Sequence, residues 1–190
     1  MSFAKKMARK QKKSIRIGTR KGAREVLRSQ QILRETYVQQ YRRELMMRKN
    51  TLHNLSACFL LATNERYGFG RGKLLRLRDK MQSEFDSIVA GNVSIQEIAS
   101  FLRDEMKMNL GLYNDPKANT QRQIELQAIK EMSCAYLMAL IDEFNFGRKR
   151  LGDAYDQAAD LSDRVKYGKI SYAEIRAKIE KIFARGRKIE

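Results

Sequence analysis

Proline, histidine and tryptophan are almost missing from this chain, whose 190 residues hold one proline, one histidine and no tryptophan. The one proline, Pro116, marks a linker. The lone histidine, His53, and two cysteines, Cys58 and Cys134, are too few and too scattered to complete a tetrahedral zinc site, so neither metal nor cofactor is expected. Both cysteines fall in apolar helical stretches and are expected as buried, reduced thiols, which makes a cytoplasmic setting the expected one.

No apolar run approaches the ~20 residues that span a bilayer, and the N-terminus lacks the apolar segment of a secretory signal; no membrane partner is expected. Motifs of catalysis are missing as well: there is no Walker-type loop, nucleophile elbow, H-E-x-x-H or C-x-x-C. The carboxylate pairs Asp104-Glu105 and Asp142-Glu143 are adjacent on helices, point to different faces, and are expected as solvated charges. The chain is therefore read as not an enzyme.

The most telling scarcity is of acid. Residues 1–24 contain none, and residues 1–50 hold 16 Lys/Arg against Glu25, Glu35 and Glu44. Of the formal net charge of +17, +13 thus sits in residues 1–50 and +4 in residues 51–190. Such segregation points to a cationic arm on a nearly balanced body and to a polyanionic partner, DNA or RNA. Within the arm, Lys5, Lys6, Arg9, Lys10, Lys12, Lys13, Arg16, Arg20, Lys21 and Arg24 are the candidate phosphate contacts.

What is present is helical pattern. No segment shows the period-two alternation of a strand, and 43% apolar residues suffice for a folded core, so the expected class is all-α. Residues 1–22 carry no apolar stripe and are read as a flexible basic arm. Residues 23–50, with Val26, Leu27, Leu33, Tyr37, Tyr41 and Leu45, are read as one long amphipathic helix whose tyrosines are packing residues rather than base-stacking platforms.

Beyond it the sequence repeats itself: 56–106 lies over 133–183 without a gap. Identical pairs include Leu60/Leu137, Phe69/Phe146, Gly70/Gly147, Arg71/Arg148, Leu74/Leu151, Gly91/Gly168, Ser94/Ser171 and Glu97/Glu174. Each copy reads as three helices: an apolar first helix ending at Gly68 or Asn145, a second beginning at Arg71 or Arg148, and a third opened by the S-x-x-E capping box at Ser94 or Ser171. The expected layout is repeat 1 over 51–113, a linker over 114–120 marked by Asn114-Asp115-Pro116, and repeat 2 over 121–190, with Thr120-Gln121-Arg122-Gln123 as a candidate cap.

The repeated turn is Tyr67-Gly68-Phe69-Gly70-Arg71-Gly72-Lys73-Leu74 and Phe144-Asn145-Phe146-Gly147-Arg148-Lys149-Arg150-Leu151. Small residues before a helix let its N-terminal amides approach a phosphate, and the helix dipole favours the anion there. Gly70, Arg71, Lys73, Gly147, Arg148, Lys149 and Arg150 are therefore candidate nucleic-acid contacts. Over this turn and its immediate flanks, and no further, each copy resembles the helix–hairpin–helix motif, whose Gly-hydrophobic-Gly hairpin holds DNA phosphates without reading sequence; the second copy has Asn145 at the first glycine.

Across one repeat unit, the Phe-Gly-basic segment after an apolar helix is also similar to small uncharacterised phage proteins of Gram-positive bacteria. That resemblance implies a phage or mobile-element origin and no particular activity. The expected function is a nucleic-acid-binding regulator or accessory factor. The alternative is a protein-binding inhibitor or adaptor, such as a phage anti-defence factor acting on a host nucleoprotein; the oligomeric state stays open.

Overall fold

The computed structural model describes residues 3–110 and 115–185, with side chains from residue 25 onward apart from residue 26. Six helices and no strand occur among the described residues: α1 (Phe3–Tyr67), α2 (Arg71–Val89), α3 (Ile95–Asp104), α4 (Thr120–Phe144), α5 (Arg148–Lys166) and α6 (Tyr172–Ala184). The described residues are all-α, as the lack of any period-two pattern implies.

Two boundaries differ from the sequence reading. The helix expected over 23–50 and the one expected to open at 51 are a single continuous helix, because no glycine or proline lies between residues 23 and 67. The backbone of α1 is also helical from Phe3, where residues 1–22 were expected to lack structure. Lys, Arg, Gln, Ala and Met dominate that stretch and are good helix formers even without an apolar stripe; Gly18 and Gly22 weaken the helix without ending it. A smaller correction concerns α4: Asn119, not Thr120, caps it, its side-chain oxygen accepting from the Arg122 N–H at 2.9 Å.

The chain divides into two compact units, Met1–Leu45 and Met46–Glu190. In the first, Leu27, Leu33, Tyr37, Tyr41 and Leu45 are 53% to 72% exposed, so the packing role expected of the tyrosines is not what the described residues show. Local bonds such as Gln31 Nε2 to Glu35 and Gln40 Nε2 to Glu44, both 3.0 Å, decorate the helix surface.

The second unit is built around two apolar segments, residues 57–63 of α1 and the middle of α4, where Ala135, Tyr136, Leu137, Ala139 and Leu140 are fully buried. Helices α2, α3 and α5 pack against α4. Polar bonds tie α5 and α6 to α1: Arg66 to Asp153 at 2.8 Å, Tyr67 Oη to the Arg150 carbonyl at 2.7 Å, and Arg176 to Asn54. A half-buried ion pair, Arg48 to Glu131 at 2.6 Å, joins α1 to α4, and Gln127 also donates to Glu131 at 3.0 Å.

Corresponding positions of 56–106 and 133–183 make recurring contacts. Phe59 and Tyr136, counterparts of one another, stack with centroids 4.3 Å apart. Arg66 pairs with Asp153, while Arg76 pairs with Glu143; position 66 corresponds to 143 and 76 to 153, so the same two places carry the same bridge with the charges exchanged. Likewise Lys80–Asp142 at 3.1 Å matches Gln157–Glu65 at 3.5 Å. In these polar bridges α2 lies on α4 and α5 lies on α1.

The terminations follow from the residues that supply them. Gly91 (φ +75°) and Gly168 (φ +69°) take the left-handed conformation that closes α2 and α5, and in both turns the next N–H returns to the helix, Asn92 to Ser87 at 3.0 Å and Lys169 to Arg164 at 2.8 Å. Ser94 and Ser171 then form complete capping boxes with Glu97 and Glu174. Hydrogen bonds from the serine backbone and hydroxyl hold both carboxyls below the usual carboxylate range. Their contribution to stability is therefore present at neutral pH and is lost as pH falls through that lowered range. Ser94→Ala and Ser171→Ala are each expected to cost about 1 kcal/mol by urea denaturation; unchanged midpoints would show that the caps are decorative.

Candidate nucleic-acid interface

Each repeated turn joins two helices by three residues. Gly68 (φ +63°) and Asn145 (φ +52°) adopt the left-handed conformation expected of the two residue types most tolerant of it. Gly68 N–H bonds to Asn64 O and Asn145 N–H to Ile141 O, both at 2.8 Å, and Asn64 Nδ2 reaches over the turn to Phe69 O at 2.9 Å. The chain then turns outward at Gly70 and Gly147, in extended conformation, and α2 and α5 begin.

The turns meet through their aromatic residues. Tyr67 and Phe146 centroids are 5.0 Å apart, Phe69 and Phe144 4.8 Å, and Phe69 and Phe146 6.0 Å, with tilted or edge-on geometry throughout. Phe69 and Phe146 are buried, so this cluster is core as well as connector. The structure therefore brings together the two groups of turn residues expected to act at phosphates: Gly70, Arg71 and Lys73 with Gly147, Arg148, Lys149 and Arg150.

Both helix starts lack the usual neutralising groups. Neither Gly70 nor Gly147 can offer a side-chain cap, and neither α2 nor α5 has an acidic residue in its first turn. The positive end of each helix dipole is left with cations rather than carboxylates around it. Two of those cations are already engaged: Lys73 Nζ lies 5.2 Å over the Phe69 ring, and the Arg150 guanidinium 3.7 Å over Phe146 and 5.4 Å over Tyr67. Arg148 and Lys149 are exposed, and Arg71 is half-buried with its Nε enclosed and unbonded among the described residues. The side chains of Lys5, Lys6, Arg9, Lys10, Lys12, Lys13, Arg16, Arg20, Lys21 and Arg24 lie outside the described ones.

Gly70 and Gly147 are not demanded by the fold. Their φ values of −72° and −82° suit any residue, and a Cβ at either would meet nothing within 4 Å. A serine there would supply the missing cap and add a few tenths of a kcal/mol. The double variant Gly70→Ser/Gly147→Ser is expected to unfold at the same or slightly higher urea concentration while binding oligonucleotides several-fold more weakly, since the added side chains occupy the approach to the helix amides. Undiminished binding would remove the turns from the interface.

Other charges that the sequence presents as isolated are structural. Asp142 and Glu143, expected as solvated, are paired with Lys80 and Arg76. The opposite signs at 66/143 and 76/153 are the sequence signal that could have revealed those bridges. Cys58 and Cys134 are buried, and burial pushes their thiols up to about 11 and about 12. Among the described residues no cluster of His, Cys, Asp or Glu is arranged to hold a metal, and no helix is long and apolar enough to cross a membrane. Compared with protein-family models, curated proteins and solved structures, the chain matches none of them.

Proposed function

We propose that this chain is a non-enzymatic nucleic-acid-binding protein that grips the phosphate backbone, serving as a regulator or accessory factor of a phage or mobile element. The observation that carries the reading is the segregation of charge, with +13 of the +17 in residues 1–50. The two adjacent, uncapped, acid-free helix starts support it as a second contact region. Contacts of both kinds position a protein on a strand without selecting its sequence.

The body is read as a tandem duplication of a three-helix unit. The recurring bridges and the identical capping boxes support this, and a pair whose charges are exchanged between copies is what divergence after duplication leaves behind.

Binding to labelled DNA and RNA, titrated with salt, tests the function: affinity should fall steeply and linearly on a log–log plot. Absence of binding at low salt overturns it. A second reading, an inhibitor or adaptor that docks on a host nucleoprotein, is favoured by the exposed Leu27, Leu33, Tyr37, Tyr41 and Leu45, which phosphates cannot satisfy. Capture of a protein partner that resists nuclease treatment would put that reading first.

A further inference from the structure

We propose that the groove between α1, α2, α4 and α6 is a pocket for one unpaired nucleotide, its base on the apolar floor and its phosphate on the cationic rim. The inference rests on the nucleic-acid reading above and names where a single strand would be told from a duplex.

The groove encloses about 420 Å³, is open to solvent, and is floored by Leu52, Leu60, Met132 and Ile179. That volume falls in the range of roughly 300–1,000 Å³ usual for small-ligand sites. Phe85 and Phe183 supply phenyl walls, and the charged residues that line the groove are Lys49, Arg78, Arg176 and one carboxylate, Glu180. The Arg78 guanidinium lies 5.7 Å over Phe183, and its ion pair is with its own neighbour Asp79, an exposed arrangement that a phosphate can displace. Arg176 is anchored by Asn54.

The counterpart groove shows that none of this is required by the architecture. At the corresponding positions of the second copy, Arg78 becomes Tyr155, Gln82 becomes Ala159 and Phe85 becomes Ser162, and the cavity shrinks to about 200 Å³. Lys49 and Arg176 correspond to Leu126 and Ala99, neither of which lines the smaller groove; Ala99 borders a separate cavity of about 570 Å³ beside α3. Burial raises the Tyr155 phenol, as befits a side chain that fills space. The smaller groove has no Lys or Arg in its lining and one carboxylate, Asp163; only the larger one combines Phe85 and Phe183 with a cationic rim. Nucleobases stack on aromatic faces whatever their identity, and flanking phosphates seek Lys and Arg, so the pair of features fits a nucleotide in a strand. An acyl chain would leave much of its length in water in so open a groove.

The test uses the full-length protein and a short single strand carrying one fluorescent adenine analogue. Binding should change the analogue's emission and be roughly ten-fold tighter than to a duplex of the same length at the same salt. Arg78→Ala and the groove-filling Ser56→Phe should each abolish both effects with an unchanged unfolding midpoint. Equal, salt-dependent binding of single strand and duplex with unchanged emission overturns the pocket and leaves the backbone reading intact. Saturable binding of adenosine monophosphate without binding of any strand supports the pocket and overturns the broader reading; silence in every arm overturns both.

Discussion

Phe146→Ala is expected to lower the free energy of unfolding by about 3–5 kcal/mol, the range for removing a buried phenyl group. The ring is 1% exposed, meets Tyr67, Phe69 and Phe144, and carries the Arg150 guanidinium on its face. Its removal opens a cavity where the end of α1, the end of α4 and the turns that follow them meet. Against a typical total of about 5–15 kcal/mol, that is a large fraction. Phe69→Ala should cost a similar amount, since its ring is 3% exposed and packs on the same partners. The double variant should cost less than the sum, because the two deletions share one cavity. Urea midpoints of the three variants decide this; a change under about 1 kcal/mol for either single substitution would mean that the cluster is peripheral.

The second large effect concerns affinity. Replacing Lys5, Lys6, Arg9, Lys10, Lys12, Lys13, Arg16, Arg20, Lys21 and Arg24 by glutamine keeps chain length and helix propensity and removes ten positive charges. Every phosphate left without its cation lowers the log–log salt slope by about 0.9 on duplex DNA and about 0.7 on single strands. If six or more of these residues touch phosphates, the slope falls by roughly five units and low-salt affinity by several orders of magnitude. A slope within one unit of the parent protein's would show that the arm does not touch the backbone. Leaving the folded body unaltered, the substitution should not move the urea midpoint, which separates this outcome from misfolding.

The elements legible in the sequence were those whose cause is local. Ser94 and Ser171 with their glutamates, Gly91 and Gly168, and the pair Gly68/Asn145 each specify a terminus through their own conformational preferences, and the helices end where those residues stand. The continuity of α1 was not legible, because the repeat pattern invites a boundary at 51 that no residue there enforces: Asn50 and Thr51 disfavour a helix interior only weakly. Partner choice was hidden too. Hydrophobic periodicity shows that α2 has a buried face, but not that it packs on α4, a helix far along the chain. Of the candidate site, the sequence identified the turn residues. That the turns adjoin through Phe69 and Phe146, and that Lys73 and Arg150 rest on those rings, depends on contacts between segments far apart in the chain.

The exchanged ion pairs make the interface between the two halves directional. If two first copies came together in the same way, Arg66 would face Arg76; if two second copies did, Glu143 would face Asp153. Only the mixed pairing sets opposite charges in both places. Exposed bridges are individually worth about 0–1 kcal/mol, yet the penalty for a like-charge match has the opposite sign, so each mismatch counts against the wrong assembly twice. At these two places residues 56–106 therefore present charges complementary to residues 133–183 and unfavourable to a second copy of themselves.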